Sequence, residues 1–233
     1  MSAPAKITKE KIINAVLTCS FDKSVGATSL ADIAKKLGIK KASLYNHYEN
    51  RDAIIEDTVR WCGDYLSRLV FIPNNLSAIC QKYSAASVMK ALISRWIKLN
   101  ESEPVIQIYS FLESEKYFSN EAAKIVELNR VKFIRQTAVA LATLARAKKI
   151  VIENSKKNSL LSEILSLFIR EYLDNHIVQK KRIIRSNPET GEDTLFHGMT
   201  LPEPSIADAN RLIEEFCSLL VPVKAPAKTQ SAK

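Results

Sequence analysis

The chain has 233 residues, 46% of them hydrophobic and 25% charged, and carries a net charge of +9. That length supplies enough core to fold without disulfide or metal staples. Its five glycines lie at least seven residues apart, which excludes a GxGxxG dinucleotide fingerprint and a GxxxxGK phosphate loop.

Residues 1–8 are polar and read as a frayed start. From Lys9 to Ser24 the apolar residues Ile12, Ile13, Val16, Leu17 and Phe21 recur at helical spacing, and Gly26 ends the element. A second short helix is predicted from Ser29 to Leu37, with Leu30, Ile33, Ala34 and Leu37 inward and Ser29/Asp32 as a capping-box start. Gly38 supplies a turn, and a third short helix runs from Lys40 to about His47. Asn50 is the expected N-cap of a long fourth helix reaching about Phe71, where Pro73 stops it. Further helices are predicted near 76–100, 104–117 and 119–147, then a linker through 148–158 and a helix over 159–183. Residues 186–204 hold three prolines and two glycines and read as a long loop. A last helix spans about 205–220, and the Lys/Ala/Pro-rich tail from Pro222 reads as disordered. Between Pro104 and Pro188 there is neither Gly nor Pro, so the expected class is all-α.

The charge is unevenly placed: +4 falls in residues 1–52, +3 in 222–233, and only +2 in the 169 residues between. A basic N-terminal module points to an anionic partner, nucleic acid or a membrane surface. The longest charge-free run, Leu69–Gln81, contains Pro73 and is too short to span a bilayer. Lys6, Lys9, Glu10 and Lys11 interrupt any apolar leader. Cys19, Cys62, Cys80 and Cys217 form no CxxC pair and are expected as free thiols in a reducing interior, so the predicted location is cytoplasmic. Three histidines and no HExxH leave no expected metal site, and no cofactor is expected.

Two short helices joined by a glycine turn and braced by an apolar first helix describe a helix-turn-helix. With Ile39, Leu44 and Tyr48 turned to the core, Lys40, Lys41, Ala42, Tyr45, Asn46 and His47 face outward. Such a surface offers donors for base edges and phosphates and a small side chain for close approach to a major groove. Lys35 and Lys36 add charge nearby, where a solvated face is an equally good account of them.

The run Thr28–Val59 resembles the N-terminal signature of TetR-type (tetracycline-repressor-like) regulators. The shared elements are Thr28-Ser29, Ile33-Ala34, Gly38, Leu44-Tyr45, His47-Tyr48 and Arg51, all within about the first 60 residues. Tyr48 departs from the commoner Phe, and Lys40-Lys41 stand where a small hydroxyl residue is often found. The resemblance implies an N-terminal three-helix domain over 1–52, a larger helical domain for effector binding and dimerisation over 53–221, and a tail over 222–233. It implies that Ser29 and Arg51 hold backbone phosphates and that Lys40, Lys41, Ala42, Tyr45, Asn46 and His47 read DNA.

A short recognition helix covers only a few base pairs, so dimerisation on a palindromic operator is expected. Wide apolar stripes mark the last two long helices, and Leu161, Leu165, Phe168, Tyr172, Ile213, Phe216 and Leu220 are the expected dimer face, unless both stripes are intramolecular core. The resemblance also implies an effector site in the middle helices, which contain Trp96, Tyr109, Phe111, Phe118 and Phe133. No convergent polar cluster there names a ligand. The expected function is a dimeric repressor released from operator DNA by a small molecule. The alternatives are a constitutive DNA-binding protein with a solid core and an all-α enzyme. For the enzyme, the sequence offers no nucleophile, His-rich or ExxH motif.

Overall fold

The computed structural model describes residues 7–186 and 207–222. Most of the expected 186–204 loop, and the tail beyond 222, lie outside the described residues. The described residues form helices α1 (Lys9–Asp22), α2 (Leu30–Lys36), the 3-10 helix η1 (Lys41–Asn46), α3 (Arg51–Arg68), α4 (Leu76–Lys82), α5 (Ala85–Glu101), α6 (Val105–Glu115), α7 (Asn120–Arg146), α8 (Ser155–Ser186) and α9 (Ala207–Ser218). The fold is all-α, and among the described residues there is one antiparallel bridge, between Ile150 and Pro222.

The chain divides into two compact units. The first draws on Met1–Leu69, Lys98–Val131 and Leu173–Pro204, the second on Val70–Ile97, Lys132–Tyr172 and Ser205–Lys233. In the first unit α1 packs against α2, α3 and α6, and α2 against η1. Ile12, Val16 and Leu17 of α1 meet Ile33, Leu44, Ile54, Cys62 and Phe111 in one buried cluster. In the second unit Phe71, Trp96 and Phe133 make mutual ring contacts, with centroids 4.8–5.8 Å apart. Gln136 Oε1 accepts from the Phe71 amide at 2.5 Å, and the Arg95 guanidinium donates to the Phe71 carbonyl at 3.2 Å.

Local chemistry sets the helix ends. Gly38 has φ +64°, its amide donates to the Lys35 carbonyl, and the Ile39 amide donates to Ala34, both at 3.0 Å. That pair of bonds is a Schellman closure, which needs a left-handed residue where glycine has no steric penalty. The single helix expected over 76–100 is two, because Tyr83 is extended and Ser84 Oγ accepts from the Ser87 amide to start α5 afresh. Likewise the expected 148–158 linker is shorter. Asn154 Oδ1 accepts from the Lys157 amide, so α8 starts at Ser155. Helix α3 stops at Arg68 rather than Phe71, since Leu69 is extended.

Candidate nucleic-acid interface

Helix α2 begins with the full capping box. The Ser29 hydroxyl accepts from the Asp32 amide, and the Ser29 amide donates to the Asp32 carboxylate. The same hydroxyl also donates to Asp32 Oδ2 at 2.7 Å, and Lys23 of the α1–α2 connection donates to Oδ1. Ser29 is thus first a helix cap, and a phosphate at this end would compete with the Asp32 carboxylate. The Lys23 ammonium, then the Ser29 hydroxyl and amide, hold the Asp32 carboxyl well below the usual carboxylate range. A depressed folded pKa stabilises above the unfolded value and is lost as the pH falls through the folded one. Asp32→Asn should therefore lower the melting temperature at neutral pH, and the gap from wild type should narrow as the pH falls below about 4. A gap independent of pH would assign the effect to shape rather than charge.

Beyond the Gly38 turn, η1 presents the predicted reading surface. Lys40, Lys41, Ala42 and Asn46 are exposed, Tyr45 is 51% exposed and His47 is half-buried. Leu44 and Tyr48 turn inward into the buried cluster, and Ile39 packs against its edge. The spacing placed each of these on its correct side. The element is a 3-10 turn rather than an α-helix, closed by the Ser43 amide to Lys40 and the His47 amide to Leu44, each at 2.9 Å. Six residues without a side-chain cap gain little from α-helical geometry, so tertiary anchors set the shape.

Arg51 opens α3, but two of its three nitrogens point inward, while Nη1 stands 3.8 Å from the exposed Asp52 carboxylate. Nε donates to the Thr28 carbonyl at 2.8 Å, and Nη2 donates to the Val25 carbonyl. The guanidinium therefore ties α3 to the connection ahead of α2, and Thr28 itself is buried with its hydroxyl on the Ser24 carbonyl. Arg51 also faces Glu115 at the end of α6, whose carboxyl burial pushes up against the pull of this charge. Removing the clamp takes the Arg51 donor from the Thr28 carbonyl and leaves Val25 with the Thr28 amide alone, so Arg51→Ala should destabilise by about 1–2 kcal/mol in denaturant titrations. Arg51→Lys should restore little of that, because one ammonium does not match a two-carbonyl fork. A variant as stable as wild type would return Arg51 to a phosphate role alone.

Sequence spacing did not find a second polar tie. The Tyr48 hydroxyl donates to Asp57 Oδ2 at 2.7 Å, in the second turn of α3. No pattern in the chain marks Asp57, since the pair meets only when Tyr48, in the connection after η1, folds back onto α3.

The expected dimer residues are placed by the chain's own packing. Leu161, Leu165, Tyr172, Ile213, Phe216 and Leu220 are buried within the single chain, and Phe168 is half-buried. The apolar positions that α8 leaves exposed in the second unit are Leu160 and Leu167. Of the middle aromatics, Trp96, Phe111 and Phe133 are core, Tyr109 donates to Asp174, and Phe118 is exposed. All four cysteines are free thiols. Among the described residues no group of three His, Cys, Asp or Glu gathers to hold a metal ion, and no helix is long and apolar enough to cross a membrane.

Comparison with known proteins agrees with this geometry. Residues 12–58 match the family described as "Bacterial regulatory proteins, tetR family". The biofilm operon icaADBC HTH-type negative transcriptional regulator IcaR of Staphylococcus aureus is 33% identical over 124 residues, 52% of this chain and 63% of that protein. Its Staphylococcus epidermidis counterpart is 44% identical over 57 residues, 24% of this chain and 31% of that one. The chain thus aligns with somewhat under two thirds of the S. aureus relative's length. Among solved structures, the fold is similar to E. coli NemR in its reduced form, with TM-score 0.59, 10% identity, and coverage of 94% of this chain and 100% of that one. It is also similar to Salmonella enterica GusR, with TM-score 0.54, 12% identity, and coverage of 91% and 94%. Residues 12–58 are thus a helix-turn-helix of the kind described for the tetR family of bacterial regulatory proteins, and the fold is similar to that of solved TetR-like regulators.

Proposed function

We propose that the chain is a cytoplasmic, dimeric transcriptional repressor whose residues 1–52 read a palindromic operator and whose residues 53–221 dimerise and bind a small-molecule effector. The observation that carries it is η1: a turn anchored by Leu44 and Tyr48 that leaves Lys40, Lys41, Ala42, Tyr45, Asn46 and, in part, His47 open to a partner. Lysines deliver charge to phosphates, whereas Tyr45, Asn46 and His47 offer base-edge donors and acceptors. The sign of regulation follows the S. aureus relative, which is described as a negative regulator.

Support for the effector comes from the second unit. There the Phe71, Trp96 and Phe133 rings pack together, and among the described residues of the same unit two buried side-chain oxygens, Thr137 Oγ1 and Asn158 Oδ1, have no hydrogen-bond partner. Orphaned oxygens in an apolar interior are costly unless something polar reaches them. A protein of the same fold, SmeT, is known as a complex with triclosan.

The test is selection of a bound duplex from a random-core DNA pool by the full chain, followed by titration of that duplex across salt. Affinity should fall steeply with salt, and Lys40→Gln and Lys41→Gln should each reduce the log–log slope by about 1. Enrichment of no duplex would overturn the reading, and a flat salt response would remove the phosphate roles.

A further inference from the structure

The short reading turn has two inward anchors of different kinds. Leu44 is 1% exposed and sits in the apolar cluster, where contacts are non-directional and tolerate rotation of the turn about its own axis. Tyr48, 7% exposed, adds a directional bond, its hydroxyl donating to Asp57 Oδ2 at 2.7 Å. Asp57 is held in turn from two sides. Lys9 Nζ of α1 lies 3.8 Å from Oδ2, and Arg60 Nη2 of α3 lies 3.4 Å from Oδ1. The Lys9 ammonium also stands 4.9 Å from the centroid of the Tyr48 ring. The residue that ends the reading turn, the first helix and α3 thus share one carboxylate.

We propose that Tyr48 and Asp57 form a positioning clasp that sets the rotation of the DNA-reading turn against α3, so that the phenol hydroxyl tunes sequence discrimination without touching DNA. The inference rests on the DNA-reading role proposed above. Tyr45, Asn46 and His47 immediately precede Tyr48, so a small rotation about the Leu44 anchor moves all three relative to base edges. Phosphate-directed lysines on flexible stems absorb the same rotation. The clasp therefore acts on specific binding more than on nonspecific binding. The Lys9 and Arg60 contacts are solvent-screened and mainly orient the carboxylate.

The experiment compares the full chain with Tyr48→Phe, Asp57→Asn, Asp57→Leu and the Tyr48→Phe/Asp57→Leu double variant. The probes are the duplex selected by wild type and a scrambled duplex of equal length. Tyr48→Phe keeps the ring and its packing, and Asp57→Asn keeps an oxygen that accepts from the phenol. Asp57→Leu keeps size and removes the acceptor. Expected is a loss of about tenfold in affinity for the selected duplex with Tyr48→Phe and with Asp57→Leu, the size of one hydrogen bond to a charged group. The scrambled duplex should bind within twofold of wild type by about the same salt slope. Asp57→Asn should retain most of the discrimination, and the double variant should lose no more than either single one. Full discrimination in Tyr48→Phe, equal losses on both duplexes, or additive losses in the double variant would each overturn the clasp. A wild-type chain that selects no duplex would instead overturn the DNA-reading role, and the clasp with it.

Discussion

A Tyr45→Ala/His47→Ala double variant should bind the selected duplex more than about a hundredfold more weakly than wild type, since each base-directed side chain contributes roughly 1–3 kcal/mol of discrimination. The melting temperature should barely move. Tyr45 is half-exposed and absent from the buried cluster, so its truncation opens no cavity. His47 contributes to the turn through its backbone amide, which donates to Leu44 whatever the side chain is. Anisotropy titration against selected and scrambled duplexes separates the two kinds of loss, with sedimentation to show that the oligomer is unchanged. The double variant should approach its own scrambled-duplex affinity, because the lysines that supply the nonspecific term remain. An unimpaired variant would move base reading away from η1.

That prediction was available from residue spacing, and the reason is physical. A glycine at a left-handed turn, a Ser with an Asp three residues on, and apolar residues at 33, 34, 44 and 48 each carry their structural consequence locally. The Gly38 closure and the Ser29 cap were legible for that reason, as was the outward face of η1. Contacts between distant segments were not. Arg51 looks like a free basic residue at a helix start, yet its acceptors are carbonyls 23 and 26 residues earlier. The break between α4 and α5 was hidden too, because it occurs at Tyr83-Ser84 with neither Gly nor Pro to announce it. The length of α8 was underestimated since Asn154 and Ser155 read as loop residues until the cap is seen.

The apolar stripe on α8 shows the same divide with a larger consequence. Helical periodicity says that a row is apolar, but not which part the chain covers by itself. Leu161, Leu165 and Tyr172 are covered, whereas Leu160 and Leu167 are not, and Ile164 and Phe168 are intermediate. Leu160 and Leu167 are seven residues apart with Ile164 between, so they share one helix face. If the proposed dimer forms through α8, this face is the one available to a second copy. Leu167→Asp is the informative change, because Leu167 is 63% exposed and a carboxylate there stays solvated in the monomer. The variant should retain its helical circular dichroism and sediment as a monomer. Its affinity for a full palindrome should fall by about a hundredfold or more, since the second half-site no longer binds as an intramolecular event. Leu165→Asp should behave differently, losing the fold along with the dimer, because Leu165 is fully buried and its carboxylate would have no partner. Phe168→Asp, at a half-buried position, would mix the two effects. A Leu167→Asp chain that remains dimeric and binds the palindrome as tightly as wild type would place the interface on another face.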